Sequence, residues 1–252
     1  MSLRQRAAAL AALLLLAGCG GTLQEQAGGV ADYERGKRAY DQQNWTDAVL
    51  DLKAFVEAYP GTERTDDALY FLGDAYFRMK DYALASGHLD RLLRDFPGSI
   101  HEPDARFLLA RCDDLQSHGA MLDQTETERA LGRYREFLEL YPDHARAGEA
   151  RERVQALRDR LAEKRFRNGR LYLRLREFGS AELYLRTILT EFPDSRWAAE
   201  ASLLLGETLL KRDKRTEALD VLRAAPLPVA APETKRKIEE LLRALEGGSA
   251  AR

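Results

Sequence analysis

The sequence predicts an all-α chain built from a helix–turn–helix unit that recurs about five times. Three observations carry that prediction. An aromatic–proline pair recurs at Tyr59-Pro60, Phe96-Pro97, Tyr141-Pro142 and Phe192-Pro193. Alanines stand at fixed offsets from each proline, twelve residues before it (Ala48, Ala85, Ala130, Ala181) and eight after it (Ala68, Ala105, Ala150, Ala201). Apolar residues follow a three-to-four spacing, as in Leu69, Leu72 and Tyr76 or Leu89, Leu92, Leu93 and Phe96, with no sustained β-alternation.

The proline explains where each unit ends. It steers the residue before it out of the α region and has no N–H of its own, so the second helix stops at the aromatic. Three of the second helices also carry an aromatic three places before the upstream alanine, at Trp45, Tyr82 and Phe178. This pattern resembles the tetratricopeptide repeat (TPR), in which a glycine or alanine stands midway along the first helix, twelve places before the alanine of the second. That offset lands on Gly36, Gly73, Gly169 and Gly206, the last pairing with Ala218 to define a fifth repeat. Small residues are needed where two helices cross closely, because a larger side chain would push the backbones apart. The resemblance implies an open right-handed solenoid, each repeat burying its face against its neighbours.

Two places break the 37-residue period. Ala110 precedes Ala130 by twenty residues instead of twelve, and the extra eight fall in the polar stretch 117–125, which reads as a long loop. Pro142 precedes Gly169 by 27 residues where the other repeats have 13. The extra 14 make close to four turns, which a helix absorbs without rotating its apolar face. Residues 145–176 contain no proline, so the fourth repeat should open with one continuous helix of about 30 residues.

The N-terminus reads as a secretory signal. Arg4 and Arg6 precede an apolar run over 7–17, too short for the roughly 20 residues a bilayer span needs. The run ends in Leu16-Ala17-Gly18-Cys19, which resembles the lipobox of bacterial lipoproteins and implies cleavage before Cys19 and lipidation of its thiol and amino group. Several acyl chains anchor stably where one is marginal. Gly20 follows the cysteine in place of the Asp that retains many lipoproteins in the inner membrane, which favours the outer membrane. The domain reading is a signal peptide over 1–18, a lipidated tether over 19–30, five repeats over 31–224, and a Pro-rich linker with a capping helix over 225–252.

Composition fits a folded body: 45% hydrophobic, 32% charged, formal net charge −2, with no blanket attraction to nucleic acid. With Cys19 lipidated, Cys112 is the one remaining thiol, so no intramolecular disulfide is expected, and its apolar neighbours Phe107, Leu108 and Leu109 place it in the core. His88, His101, His118 and His144 stand apart from other ligands at metal-binding spacing. No phosphate loop or nucleophile elbow occurs, so neither a metal, a cofactor nor an enzymatic activity is expected.

More specifically, the chain resembles the BamD family, TPR lipoproteins of the outer-membrane β-barrel assembly machinery. The lipobox, Tyr33-Glu34-Arg35-Gly36, the loop Asp123-Gln124-Thr125-Glu126-Thr127, the run from Leu157 to Lys164 and Gly169-Arg170-Leu171-Tyr172-Leu173 carry the resemblance. It spans roughly residues 31–222; the tail departs from the pattern. It implies a periplasmic scaffold that docks on a BamA-like barrel subunit and other assembly lipoproteins and receives unfolded outer-membrane proteins, whose chains end in alternating aromatics and a free carboxylate. The alternative is a TPR protein of a cell-envelope or peptidoglycan system resembling the Tol-Pal coordinator, which usually carries a coiled coil before its repeats and lacks a lipobox.

On the TPR pattern the first helices line the concave side, which sets Tyr33, Lys37 and Tyr40 beside Tyr70, Asp74, Phe77 and Arg78 as a candidate peptide groove. The same tyrosines are also placed to pack between repeats. Charge divides unevenly: residues 32–104 hold 15 acids and 9 bases, residues 146–176 hold 11 bases and 4 acids. The basic stretch, with Arg170, Arg174 and Arg176, reads either as a solvated face or as a surface for an acidic partner or anionic headgroups. Trp197 occupies the offset held elsewhere by Arg64, His101 and Arg146, and reads either as a partner anchor or as packing inside the turn. The lipobox makes the first testable prediction. Cys19→Ser should abolish acylation, since the thioether has no other sulfur; palmitate label on the variant would refute the lipobox.

Overall fold

The computed structural model describes residues 19–247; the expected signal sequence over 1–18 lies outside the described residues, as does the side chain of Cys19. Regular structure within that span is helical, and the helices fall into two compact units that meet in sequence between Gln116 and Ser117. The first unit holds α1 (Cys19–Asp41), α2 (Trp45–Ala58), α3 (Thr65–Arg78), α4 (Tyr82–Asp95) and α5 (Glu102–Gln116). The second holds α6 (Thr125–Leu140), α7 (Ala147–Arg174), α8 (Phe178–Glu191), α9 (Ala198–Leu210), α10 (Arg215–Arg223) and α11 (Pro232–Gly247), with a 3-10 turn at Leu227–Val229. Within each unit every helix packs on its successor, as a stack of TPR helix pairs requires.

The helix ends follow the residues that predict them. Tyr59, Phe96, Tyr141 and Phe192 leave the helical region at the C-caps, each donating its N–H to the carbonyl four residues back. At the start of the second helices, Asn44 accepts the N–H of Asp47 at 3.5 Å and Asp81 that of Leu84 at 3.2 Å. Between paired helices one residue turns left-handed in four repeats: Gln43, Lys80, Arg176 and Asp213, at φ 60°, 65°, 61° and 60°. Each lies seven places beyond the repeat glycine. Apart from glycine, only Asn and Asp visit this region routinely, and other side chains hold it at a cost of about 1–2 kcal/mol.

The glycines explain the pairing. A Cβ built on Gly36, Gly73, Gly169 or Gly206 would lie 2.8, 2.7, 3.0 or 2.8 Å from a leucine of the next helix. Those leucines, Leu52, Leu89, Leu185 and Leu222, each stand sixteen residues after their glycine and are fully buried. In the third repeat Ala110 replaces the glycine and Tyr134 the leucine.

α7 is a single 28-residue helix, about 42 Å long, in the place of the expected continuous segment. The loop 117–124 separates α5 from α6. In residues 19–30, expected as the lipidated tether, the backbone continues α1 upstream of the first repeat. Gly29 seats that extension closely, since a Cβ would meet the Tyr59 ring at 3.2 Å, and a helix already nucleated by packing propagates at little cost. At the other end α11 lays Ile238 and Leu245 against Leu203 and Leu222 of α9 and α10. Cys112 is fully buried in the first unit's core.

Two predictions follow from this packing. Gly73→Leu should lower stability by about 1–3 kcal/mol through overpacking. Gly87→Ala, on the exposed side of α4 with nothing near its missing Cβ, should raise stability by about 0.5–1 kcal/mol. Equal melting temperatures for the two variants would refute the crossing geometry. His88 stacks on Tyr76 with centroids 5.4 Å apart. Its pKa is lowered, chiefly by burial and then by Arg91 and Lys53. The unfolded chain therefore binds this proton more readily, and stability is lost as pH falls below about 6.5. The melting temperature of His88→Phe should drop less than that of the unaltered chain between about pH 7.5 and pH 5; parallel curves would exclude this role for His88.

Candidate protein-binding surfaces

In the first unit, α1 and α3 bring most of the expected groove residues onto one cluster. Asp74, only 3% exposed, accepts the Tyr40 hydroxyl and the Arg78 Nε–H, the latter at 3.1 Å. Tyr40 packs against Phe71 at 4.8 Å and Trp45 at 5.4 Å. Lys37 lies 4.7 Å from the Phe71 ring centre, and its ammonium is held by both oxygens of Asp41 at 2.6 and 2.7 Å. Phe77 rests against Tyr82 at 5.5 Å, with the Arg111 guanidinium 5.9 Å from its ring. Burial, and then the hydrogen bond to Asp74, push the Tyr40 hydroxyl far above the usual phenol range, so it stays a neutral donor.

Two of the expected groove residues are not available to a ligand. Tyr33 is 3% exposed and belongs to the core, 5.6 Å from Phe55, with its hydroxyl donating to Asp67 at 3.4 Å. Its pKa is pushed up to about 12 by burial and then by the Asp67 charge. Asp74 is likewise buried, as the acceptor that fixes Tyr40 and Arg78. Tyr40, Tyr70, Phe77 and Lys37 are half-buried and Arg78 is exposed. Phe71 escaped the sequence reading, although it stands with Asp74 and Arg78 at i, i+3 and i+7 on one helical face.

A second pattern also came into view only in three dimensions. The residue three before the repeat glycine is covered by the residue four after the next proline, 31 positions later. The Arg64 guanidinium lies 5.2 Å from the Tyr33 ring centre, His101 stacks on Tyr70 at 4.3 Å, and Trp197 covers Phe166 at 4.9 Å. His101 Nε2 also lies 2.8 Å from an Asp67 oxygen. Trp197 is therefore an inter-repeat wedge and not an exposed anchor: its ring is pressed between Phe166 and the Arg196 guanidinium, and its N–H is buried without a partner. The nearby Ser195 hydroxyl is buried and unpartnered too. Its counterpart Ser99 donates to Asp66 at 2.7 Å, but at the matching place before Ser195 stands Ala162.

In the second unit, part of the basic charge of α7 serves structure. Arg158 reaches both oxygens of Asp194 at 3.1 Å and the Glu191 carbonyl at 3.1 Å, and its hydrogen bond holds the Asp194 carboxyl below the usual range. Asp159 accepts the Arg196 N–H at 2.9 Å. Arg167 pairs with Glu163, and Arg160 reaches Ser117. Arg170, Arg174 and Arg176 are exposed and pair with no carboxylate among the described residues; Arg170 only leans toward the Phe166 ring, 6.0 Å from its centre. No group of three or more metal-ligating side chains forms among the described residues, and no described helix is long and apolar enough to cross a membrane.

The YfiO family of outer membrane lipoproteins matches residues 29–218. An outer membrane protein assembly factor BamD from Caulobacter vibrioides is 31% identical over 142 residues, 56% of this chain and 47% of that protein. The chain thus aligns with about half the length of that relative. BamD of Haemophilus influenzae is 21% identical over 213 residues, 81% of each protein, and that of Vibrio cholerae 25% identical over 181 residues, 68% of this chain and 75% of that one. A solved TPR repeats protein from Bacteroides fragilis superposes with a TM-score of 0.47 at 12% identity, over 87% of this chain and 98% of that one. The family match runs from the seat of α1 on Tyr59 into α10, and the chain belongs to the YfiO family of outer membrane lipoproteins.

Proposed function

We propose that this chain is a scaffold of outer-membrane protein assembly, held by lipid on Cys19 at the periplasmic face of the outer membrane. One end receives unfolded β-barrel proteins, and the other docks on a BamA-like barrel subunit and neighbouring assembly lipoproteins. The observation that carries this reading is the contrast between a half-buried aromatic surface and an exposed basic one on a chain related to assembly factors.

The first surface is aromatic with cations at its edge. Tyr40, Phe71 and Phe77 offer half-buried rings, Tyr70 being stacked on His101, while Lys37 is already offset by Asp41. Arg78 gives its Nε–H to Asp74 and keeps the remaining guanidinium edge for a carboxylate. That set suits the end of a barrel protein, with alternating aromatics and a terminal carboxylate. The second surface, Arg170, Arg174 and Arg176, carries cations without internal partners, which suits a folded domain with a negative face.

The two ends should fail separately. Phe77→Ala with Arg78→Ala should weaken capture of a barrel C-terminal peptide by roughly tenfold or more, while the barrel subunit still co-purifies. Reversing charge at Arg170, Arg174 and Arg176 should instead lose the barrel subunit, with a deficit that grows as salt is lowered. If both sets of variants lose the same partner, the two-ended reading fails.

A further inference from the structure

We propose that the loop 117–124 and the adjoining stripe of α7 form a docking surface for an acidic, amphipathic helix of a partner protein. This rests on reading α7 as partner-facing, and adds the loop and the form of the partner. From sequence the loop is only a polar insertion; in the structure it is built. Gln124, 5% exposed, donates its side-chain amide to the carbonyls of Gly119, Leu122 and Asp123 at 3.0, 3.1 and 3.1 Å. Lys164 donates to the Leu122 carbonyl at 2.7 Å, and Arg160 to the Ser117 hydroxyl. Asp123 accepts the Thr125 N–H at 3.2 Å and its hydroxyl at 3.0 Å, which starts α6.

That construction fixes the backbone yet leaves Met121 and Leu122 each 60% exposed. Ordering a loop costs conformational entropy, and apolar side chains held in water return none of it. Exposed apolar groups rimmed by polar ones mark a contact surface, and a loop ordered in advance lowers what a partner must supply on binding. Beside them lies a depression of about 260 Å³ lined by Gly119, Ala120, Met121, Leu122, Glu163 and Arg167, room for one or two apolar side chains. Its one carboxylate, Glu163, is already paired with Arg167 and, at 3.6 Å, with Arg196.

From this depression α7 presents Arg167, Arg170, Leu171 and Arg174 at i, i+3, i+4 and i+7, all exposed. The stripe covers about 10 Å, two helical turns. Among the described residues Arg170 and Arg174 meet no carboxylate, so the uncompensated charge on this face is positive. A complement needs apolar side chains for the depression and Leu171, and acids one turn apart for the arginines. An amphipathic helix with Glu or Asp beside its apolar edge meets both needs.

The test places a photoreactive benzoylphenylalanine at Leu122 or Leu171 in the full lipidated chain in its own cells, and sequences the cross-linked peptide. The expected product is a segment with acids at helical spacing beside apolar residues. Arg170→Glu with Arg174→Glu should cut its yield by roughly tenfold, Met121→Ser several-fold, and Lys in place of the partner's acids should restore the yield to the reversed variant. Adducts on phospholipid, a segment without acids, yields unmoved by these variants, or no adduct at either position would overturn the proposal. If the barrel subunit still depends on Arg170, Arg174 and Arg176 while the Leu122 adduct fails, the loop falls and the partner-facing reading of α7 stands.

Discussion

The close crossing of two helices at a glycine and a leucine sixteen residues later governs most of what else is seen. At Gly36, Gly73 and Gly206 a methyl group would stand 2.7–2.8 Å from the leucine side chain and force it to shift, and at Gly169 it would press on it at 3.0 Å. That contact fixes how near the paired helices come and the rotation of the first about its axis. The residue three before the glycine then points toward the next repeat, and the residue seven after it must turn left-handed to start the second helix. Surfaces open to partners are what remains once these positions are filled.

This constraint is why so much of the fold is legible in the sequence. A crossing that admits only a small residue, and a proline that ends a helix, leave fixed spacings whatever the surrounding composition. The long α7 and the loop 117–124 are readable for the same reason, as insertions that break a strict period. The left-handed turns are not readable, because Gln43, Lys80, Arg176 and Asp213 share no residue type that announces the conformation. Nor is the helical extension over 19–30, which a glycine-rich composition argues against and which shows instead in the seat of Gly29 on Tyr59.

Sequence alone leaves open which side chains of the candidate surfaces pack between repeats, and the reason is the amphipathic character of the residues involved. Tyrosine and tryptophan serve equally in a core or at a contact, so Tyr33 and Trp197 could be placed only by their partners, Phe55 with Arg64 and Phe166 with Arg196. Arg64, His101 and Trp197 look unrelated as residue types, yet each presents a flat group that can lie on a ring. Their common offset of 31 residues from Tyr33, Tyr70 and Phe166 is the signal that would have found the stacking. The basic excess over 146–176 was countable, but a count cannot separate Arg158, clasped to Asp194, from Arg170 and Arg174, which have no such clasp.

The third repeat departs from the glycine–leucine pattern in its sequence. Its glycine is replaced by Ala110 and its leucine by Tyr134, and eight residues are added between the two helices that would otherwise be joined by a tight turn. The division of the chain into two compact units falls in this repeat, at Gln116 and Ser117. What the insertion builds is not slack chain: Gln124, Lys164 and Arg160 tie it to itself and to α7. A segment that departs from the common repeat is where a scaffold made of otherwise similar units can acquire a distinct partner.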